Sequence, residues 1–196
     1  GLEIYTTLDP DAQTYVETAL NTNEIVNYPN DKIQAGIALL DTETGEIRAI
    51  GGGRNQTALR GWNYATDLKR QTGSTIKPVL DYAPAIEHLN WGTYHMLEDK
   101  PYQYSNGESI SNWNNTYEGP MTMRTALSRS RNIPALQALQ AVGLDQARDF
   151  AAKVGLGEVL PDPITESAAL GAYPMSPIDL AGAFAAFGNN GYYTEP

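Results

Sequence analysis

The sequence predicts an α+β fold, and three observations carry that prediction. Residues 34–52 read as a β-hairpin, several capped helical segments follow it, and Tyr192-Tyr193-Thr194 opens another β-rich stretch as the chain ends. One hairpin, then helices, then a strand with no partner after it describes an antiparallel sheet with helices that is incomplete within these residues. At 196 residues there is room for one sizeable domain or most of one.

Each element has its own reason. Leu2 to Leu8 alternates and is rich in β-branched residues, which predicts a strand. Asp9-Pro10 pairs an N-cap with a proline at the first helical position and opens a helix to about Leu20. Asn21 to Asp31, Asn-rich and containing Pro29, is a loop. Gln34 to Asp41 is an apolar strand, Thr42 to Gly45 its turn, and Glu46 to Gly52 the return strand. Gly51-Gly52-Gly53 lacks the Lys-Ser/Thr and helix that a phosphate loop needs, so it reads as a strand exit. After a polar stretch a helix is predicted from near Ser74, bending or stopping at Pro84 and resuming over Ala85–Leu89. Asn90 to Tyr117 is a long loop carrying Trp91, Tyr94, Tyr102, Tyr104, Trp113 and Tyr117, either an exposed aromatic groove or a loop packed by its own rings. Helices are predicted over Thr122–Ala141, interrupted at Pro134, and over Leu144–Val154, ended by Gly155. Ser176-Pro177 opens a last one, running to about Phe187.

Composition narrows the function classes. Hydrophobic residues make up 41% and charged residues 18%, an ordinary globular balance. The net charge of −10 argues against nucleic-acid binding, which wants a basic patch. With no cysteine there is no disulfide framework and no cysteine-ligated zinc or iron–sulfur site. His88 and His95 are too few for a histidine-rich metal centre and give a Ser-His-Asp triad little support. No metal and no organic cofactor is expected. No apolar run reaches transmembrane length and no signal peptide opens the chain; Gly1-Leu2-Glu3, with no initiator methionine, suggests a piece of something longer.

The first chemically suggestive stretch is Arg70-Gln71-Thr72-Gly73-Ser74-Thr75-Ile76-Lys77-Pro78. Serine is a poor nucleophile until a base takes its proton, and residues three apart on a helix share a face. Ser74 and Lys77 thus have the spacing of nucleophile and base. A helix start near Ser74 aims free N–H groups at the site, and its positive end disfavours an ammonium there. Taken alone, so short a pattern is better explained by an N-cap serine followed by a surface lysine. The second stretch, Ser128-Arg129-Ser130-Arg131-Asn132-Ile133-Pro134, contains Ser-x-Asn in a turn between helices. Its hydroxyl, on Ser130, has the chemistry to hand a proton to a leaving amine, and its amide, on Asn132, to orient a carbonyl. Spacing alone does not bring Ser130 beside Ser74.

Taken together and in order, these motifs resemble the transpeptidase domain of class A penicillin-binding proteins. The elements are Arg70-Gln71-x-Gly73-Ser74-x-x-Lys77-Pro78, Asn112-Trp113-Asn114, Tyr117-x-Gly119-Pro120, Ala126-Leu127-x-x-Ser130-x-Asn132-Ile133-Pro134, Gly171-Ala172 and Ser176-Pro177-Ile178-Asp179, ending in Phe187-x-Asn189-x-Gly191. The resemblance implies the penicillin-binding/serine β-lactamase-like fold, with residues 1–33 a linker and first strand and helix, and 34–196 the N-terminal part of the transpeptidase domain. It implies a D,D-transpeptidase that cross-links peptidoglycan stem peptides through an acyl-enzyme and is acylated by β-lactams. Ser74 would attack the D-Ala-D-Ala carbonyl, Lys77 act as base, Ser130 pass a proton to the leaving amine, and Asn132 hold Lys77 or the substrate amide. Gly73, Trp113, Asn114 and Tyr117 would line the substrate site. The site would lie on the outer face of the bacterial cytoplasmic membrane, with a glycosyltransferase domain and membrane anchor upstream.

One family motif is absent. The Lys-Thr/Ser-Gly strand, which anchors the donor carboxylate and supplies half the oxyanion hole, has no counterpart, since Lys100 and Lys153 are followed by Pro101 and Val154. A second chain or fragment is therefore expected to carry it. The rival readings are a D,D-carboxypeptidase, a serine β-lactamase and, from another class, a non-catalytic β-lactam sensor or cell-wall-binding module.

Overall fold

The computed structural model describes residues 1–58 and 60–196, which divide into two compact units, Gly1–Arg70 with Met175–Pro196, and Gln71–Pro174. The two-residue strands β3 (Arg70–Gln71) and β8 (Pro174–Met175) lie where the chain passes from one unit to the other.

The first unit is built on the expected hairpin. Strands β1 (Ile37–Leu40) and β2 (Ile47–Gly51) pair antiparallel, with Asp41 Oδ1 accepting from the N–H groups of Glu43 and Thr44 to shape the turn. Helix α1 (Pro10–Asn21) starts at an Asp9 cap, whose carboxylate accepts from Ala12 N at 2.8 Å. It packs Val16 and Leu20 against Ala49 of β2. A Cβ on Gly51 would sit 2.3 Å from a Leu20 methyl, so α1 packs closely on the end of β2. Helix α6 (Pro177–Gly188) opens with a capping box between Ser176 and Asp179 and packs on β1.

Two predicted strands of this unit are not strands. Leu2, Ile4 and Tyr5 are 93, 80 and 89% exposed, so the alternation there has no buried face. The segment touches β2 only at its end, where Thr7 Oγ1 donates to Ile47 O and Asp9 N to Arg48 O. Tyr192–Thr194 likewise forms no ladder; Thr194 Oγ1 donates to Glu43 O instead.

The second unit centres on α4 (Asn132–Val142), buried at Ile133, Ala135, Leu136, Ala138 and Leu139. Against it packs a continuous helical segment whose pitch changes twice, from a 3₁₀ turn (Gly73–Ile76) through a π-turn (Pro78–Tyr82) to α2 (Ala83–Leu89). The expected single helix is thus three pitches of one. Pro84 lacks the N–H that would bond Leu80 O, and Ala83 N donates five residues back to Pro78 O, so the segment widens where a bend was expected.

Asn90–Tyr117 is not an unstructured loop. Strand β4 (Met96–Asp99) pairs antiparallel with β7 (Gly119–Thr122), and β5 (Tyr102–Gln103) pairs with β6 (Ser109–Ile110). Trp91 stacks on His95, with ring centroids 3.6 Å apart, and packs against the core formed by Tyr82, Leu97, Met121 and Met123. Tyr94 and Trp113 stay 79 and 74% exposed. Helix α3 (Met123–Ser128) ends before the Ser130 loop. The break therefore falls at residues 129–131, while Pro134 sits in the first turn of α4, where its missing N–H is harmless. Helix α5 (Leu144–Ala151) continues into a π-turn (Ala152–Leu156) with Gly155 at φ 90°, at the predicted stop.

Candidate active site

The site assembles within the second unit from the segment after Gly73 and the loop between α3 and α4. In a 3₁₀ turn, residues three apart lie directly over one another, so Ser74 and Lys77 share a face. Ser74 is exposed, and among the described residues its hydroxyl has no hydrogen-bond partner. Gly73 adopts φ +55°. Gly171, which follows the 3₁₀ turn Glu166–Leu170, packs on this approach: a Cβ on it would lie 2.3 Å from both Gly73 N and Gly73 O, and its φ is +74°. Only glycine fits there.

Lys77 is fully buried. Its Nζ donates to Asn132 Oδ1 at 2.8 Å, Ser130 O at 2.9 Å and Arg131 O at 3.3 Å, and lies 3.3 Å from Ser130 Oγ. An ammonium has three protons for four acceptors. Once Lys77 is a free amine, the Ser130 contact can reverse, with the hydroxyl donating to the nitrogen lone pair. Burial pushes the Lys77 pKa down to about 8; Asp81, one turn along, opposes that shift and the Arg131 guanidinium adds to it. Asp81 is wholly buried, with neither carboxyl oxygen hydrogen-bonded, and burial raises its pKa well above the usual carboxylate range despite the nearby Lys77.

Ser130 reaches Lys77 through an uncommon backbone. Helix α3 ends in a Schellman arrangement, Arg131 N donating to Ala126 O and Ser130 N to Leu127 O, with Ser130 at φ +52° in the position usually taken by glycine. Asn132 is tied three ways: its N–H donates to Asn112 Oδ1 at 2.8 Å, Nδ2 donates to Ser111 O at 2.9 Å, and Oδ1 accepts from Lys77 Nζ.

Behind the loop, Arg131 is 1% exposed and forms an ion pair with Asp99, which is 0% exposed, at 2.7 Å. Sequence reasoning gave neither residue a role. One signal was available, because Asp99 falls on the buried phase of β4, in step with Leu97, where a charge requires a partner. Of the other predicted substrate residues, Asn114 is half-buried, its Oδ1 accepting from Thr116 N and Arg131 Nη1. Trp113 faces solvent. Tyr117 lines a cleft of about 860 Å³ together with Tyr102, Ile110, Leu144 and Glu166. Glu166 accepts there from Ser105 N, Ser105 Oγ and Gln140 Nε2; partial burial opposes its ionisation, but these donors outweigh it and lower its pKa. Among the described residues no group of three or more acidic or histidine side chains is placed to hold a metal.

A nucleophile-spaced serine, a buried lysine and a second serine–asparagine pair within reach of that lysine invite comparison with known proteins. The model of the penicillin-binding protein transpeptidase domain matches residues 35–196. The chain belongs to that family. It is 51% identical over its whole length to penicillin-binding protein 1A/1B of Bacillus subtilis, of which it covers 21%. Penicillin-binding protein 1A of Haemophilus influenzae superposes on 83% of the chain with a TM-score of 0.73 and 33% identity, the match spanning 24% of that protein. The PonA1 protein of Mycobacterium tuberculosis in complex with penicillin V superposes on all of it with a TM-score of 0.86 and 26% identity, spanning 54% of that protein. The transpeptidase family and the class A type expected from the motifs both stand, as does the partial α+β fold. The chain spans about a fifth to a third of the length of curated relatives it matches.

Proposed function

We propose that this chain carries the nucleophile and proton-transfer groups of a serine D,D-transpeptidase that cross-links peptidoglycan. The observation that carries the reading is the Lys77 amine, buried, depressed to a pKa of about 8, and held between the Ser-x-x-Lys turn and the Ser130–Asn132 loop.

Ser74 Oγ bonds to the carbonyl carbon of the penultimate D-alanine as its proton passes to Lys77 Nζ. Collapse of the tetrahedral intermediate breaks the peptide C–N bond, and the proton travels from Lys77 through Ser130 Oγ to the departing amine, releasing D-alanine. An acceptor amine then attacks the Ser74 ester, gives its proton back along the same path, and leaves a new amide with Ser74 restored. A β-lactam follows the first half only, its ring opening onto Ser74. The Ser74 N–H supplies one oxyanion donor. A strand bearing Lys-Thr/Ser-Gly, from outside these residues, supplies the other and the carboxylate anchor. Residues 1–33 serve as the linker, Gly73, Trp113, Asn114 and Tyr117 as the substrate-facing set, and the longer protein works on the outer face of the cytoplasmic membrane beside a glycosyltransferase domain. Among the described residues, no helix is long and apolar enough to cross a membrane.

The test is labelling of the full-length protein by a fluorescent penicillin, against Ser74→Ala. Stable labelling that Ser74→Ala abolishes, with cross-linking of a peptidoglycan precursor, is the expected result. Absence of labelling in the wild type, or rapid turnover of the drug, defeats the reading.

A further inference from the structure

The Ser130 loop meets Lys77 only because something holds it in a conformation its sequence does not favour. A residue other than glycine in the left-handed region costs about 1–2 kcal/mol and persists where its surroundings over-determine it. Those surroundings are a closed buried network. The Asp99 carboxylate takes Arg131 Nε at 2.8 Å and Nη2 at 2.7 Å, Asn112 Nδ2 at 2.7 Å and Glu118 N at 3.0 Å. Asn112, 2% exposed, passes the restraint on through its Oδ1 to the N–H of Asn132. The loop is thus pinned on both sides of the Lys77 contacts, at Arg131 by its own side chain and at Asn132 through Asn112.

A buried ion pair is a poor source of stability compared with apolar residues of similar volume, so its presence here asks for another role. We propose that Asp99 and Arg131 are positioning residues of the acylation step: their buried ion pair fixes the backbone of Ser130–Asn132 so that its acceptors and the Ser130 hydroxyl meet Lys77 Nζ. The inference rests on the acyl-enzyme reading above. Arg131 has a second tie to the same amine, because its fixed positive charge disfavours the Lys77 ammonium. The titratable and charged groups acting on Lys77 are Asp81 on its own segment, whose ionisation burial itself disfavours, and Arg131 from the loop; α2, α4, α5 and the Glu166 turn, which pack around that segment, bring none that does.

Two variants of the full-length protein separate geometry from charge. Arg131→Lys keeps the charge and loses the two-pronged grip on Asp99. The double variant Asp99→Asn with Arg131→Gln keeps planar hydrogen-bonding groups and removes both charges of the pair, and Glu118, which also meets Arg131 at 3.2 Å, keeps Arg129 as its partner. Penicillin labelling rates are measured across pH, with thermal unfolding as a control. Arg131→Lys is expected to label on the order of tenfold to a hundredfold more slowly, with its pH limb where the wild type has it. The double variant is expected to label more slowly and to have its limb at higher pH, since the ammonium has lost a repelling neighbour. A merely structural pair would lower the amount of folded protein, while what remains folded would label at the wild-type plateau rate; the position of the limb reports the Arg131 charge alone. If the double variant folds and its plateau labelling rate at high pH equals the wild type's, the proposal is wrong, wherever its limb lies and whatever becomes of Arg131→Lys. If the wild type is not labelled at all, the acyl-enzyme reading has failed instead.

Discussion

The state of Lys77 sets the most direct test of the site. A base with a pKa of about 8 is roughly one-tenth neutral at pH 7, one-half at pH 8 and nine-tenths at pH 9. The neutral amine is the form that takes the Ser74 proton, so acylation must accelerate with pH. The expected gain is about fivefold between pH 7 and 8 and less than twofold from pH 8 to 9. An unperturbed lysine, near 10.4, would instead gain nearly tenfold at each of those steps. The curvature of the profile therefore reports the burial of the amine and not simply the presence of a base. The assay is the second-order rate of fluorescent-penicillin labelling of the full-length protein from pH 6.5 to 9.5. Lys77→Arg, charged throughout, is the control: it shows no limb and labels on the order of a hundredfold more slowly or worse. A wild-type profile that is flat, or that climbs with no sign of levelling at pH 9, refutes the assignment of a depressed Lys77 as the base.

Three further outcomes follow from particular contacts. Ser130→Ala and Ser130→Gly both remove the hydroxyl and should both lose most acylation, yet the glycine variant should be the more stable by about 1 kcal/mol in denaturant unfolding, because only it relieves the left-handed strain; equal stabilities would mean the strain is absent. Gly171→Ala places a Cβ 2.3 Å from backbone atoms of Gly73 at a φ of +74°, and should destabilise the protein by about 3 kcal/mol while slowing labelling; a silent substitution would show that the 72–73 approach yields freely. Asp81 is an acid whose folded pKa is raised, so the stability it allows is full below its unfolded pKa of 3.8 and declines as pH rises through the folded value. Asp81→Asn removes that decline, and its stability relative to wild type should increase with pH above 4 by up to about 1.4 kcal/mol per pH unit; a difference constant from pH 4 to 8 would contradict the burial argument.

What could be read from the sequence was chemistry at short spacing. Ser74 with Lys77, and Ser130 with Asn132, are fixed residue types two or three positions apart, and the capped helices at Asp9-Pro10 and Ser176-Pro177 are local in the same sense. What could not be read depended on distant partners. The Leu2–Leu8 alternation implies a buried face only if another surface covers it, and none among the described residues does. The pitch of the Ser74 segment follows from which carbonyls two prolines leave unpaired, and local propensity does not contain that. Asp99 and Arg131 are 32 positions apart, and nothing near either names the other.

Ser130 stands between these cases. Its motif is legible, but the conformation that makes the motif useful conflicts with the local preference for glycine at a helix end. Glycine would satisfy the backbone and abolish the hydroxyl. Retaining serine there requires restraint from elsewhere, and the buried guanidinium and carboxylate next to it are the groups placed to exert it. A break in a local rule, beside a charge with no reason to be buried, is where sequence and packing jointly mark function. The Ser130→Gly and Ser130→Ala pair reads the strain, and the Asp99–Arg131 variants read the restraint. If the loop is held as described, the two sets should not be additive: in a Ser130→Gly background, loss of the ion pair should cost less stability than it does in the wild type, because less strain is left for it to oppose.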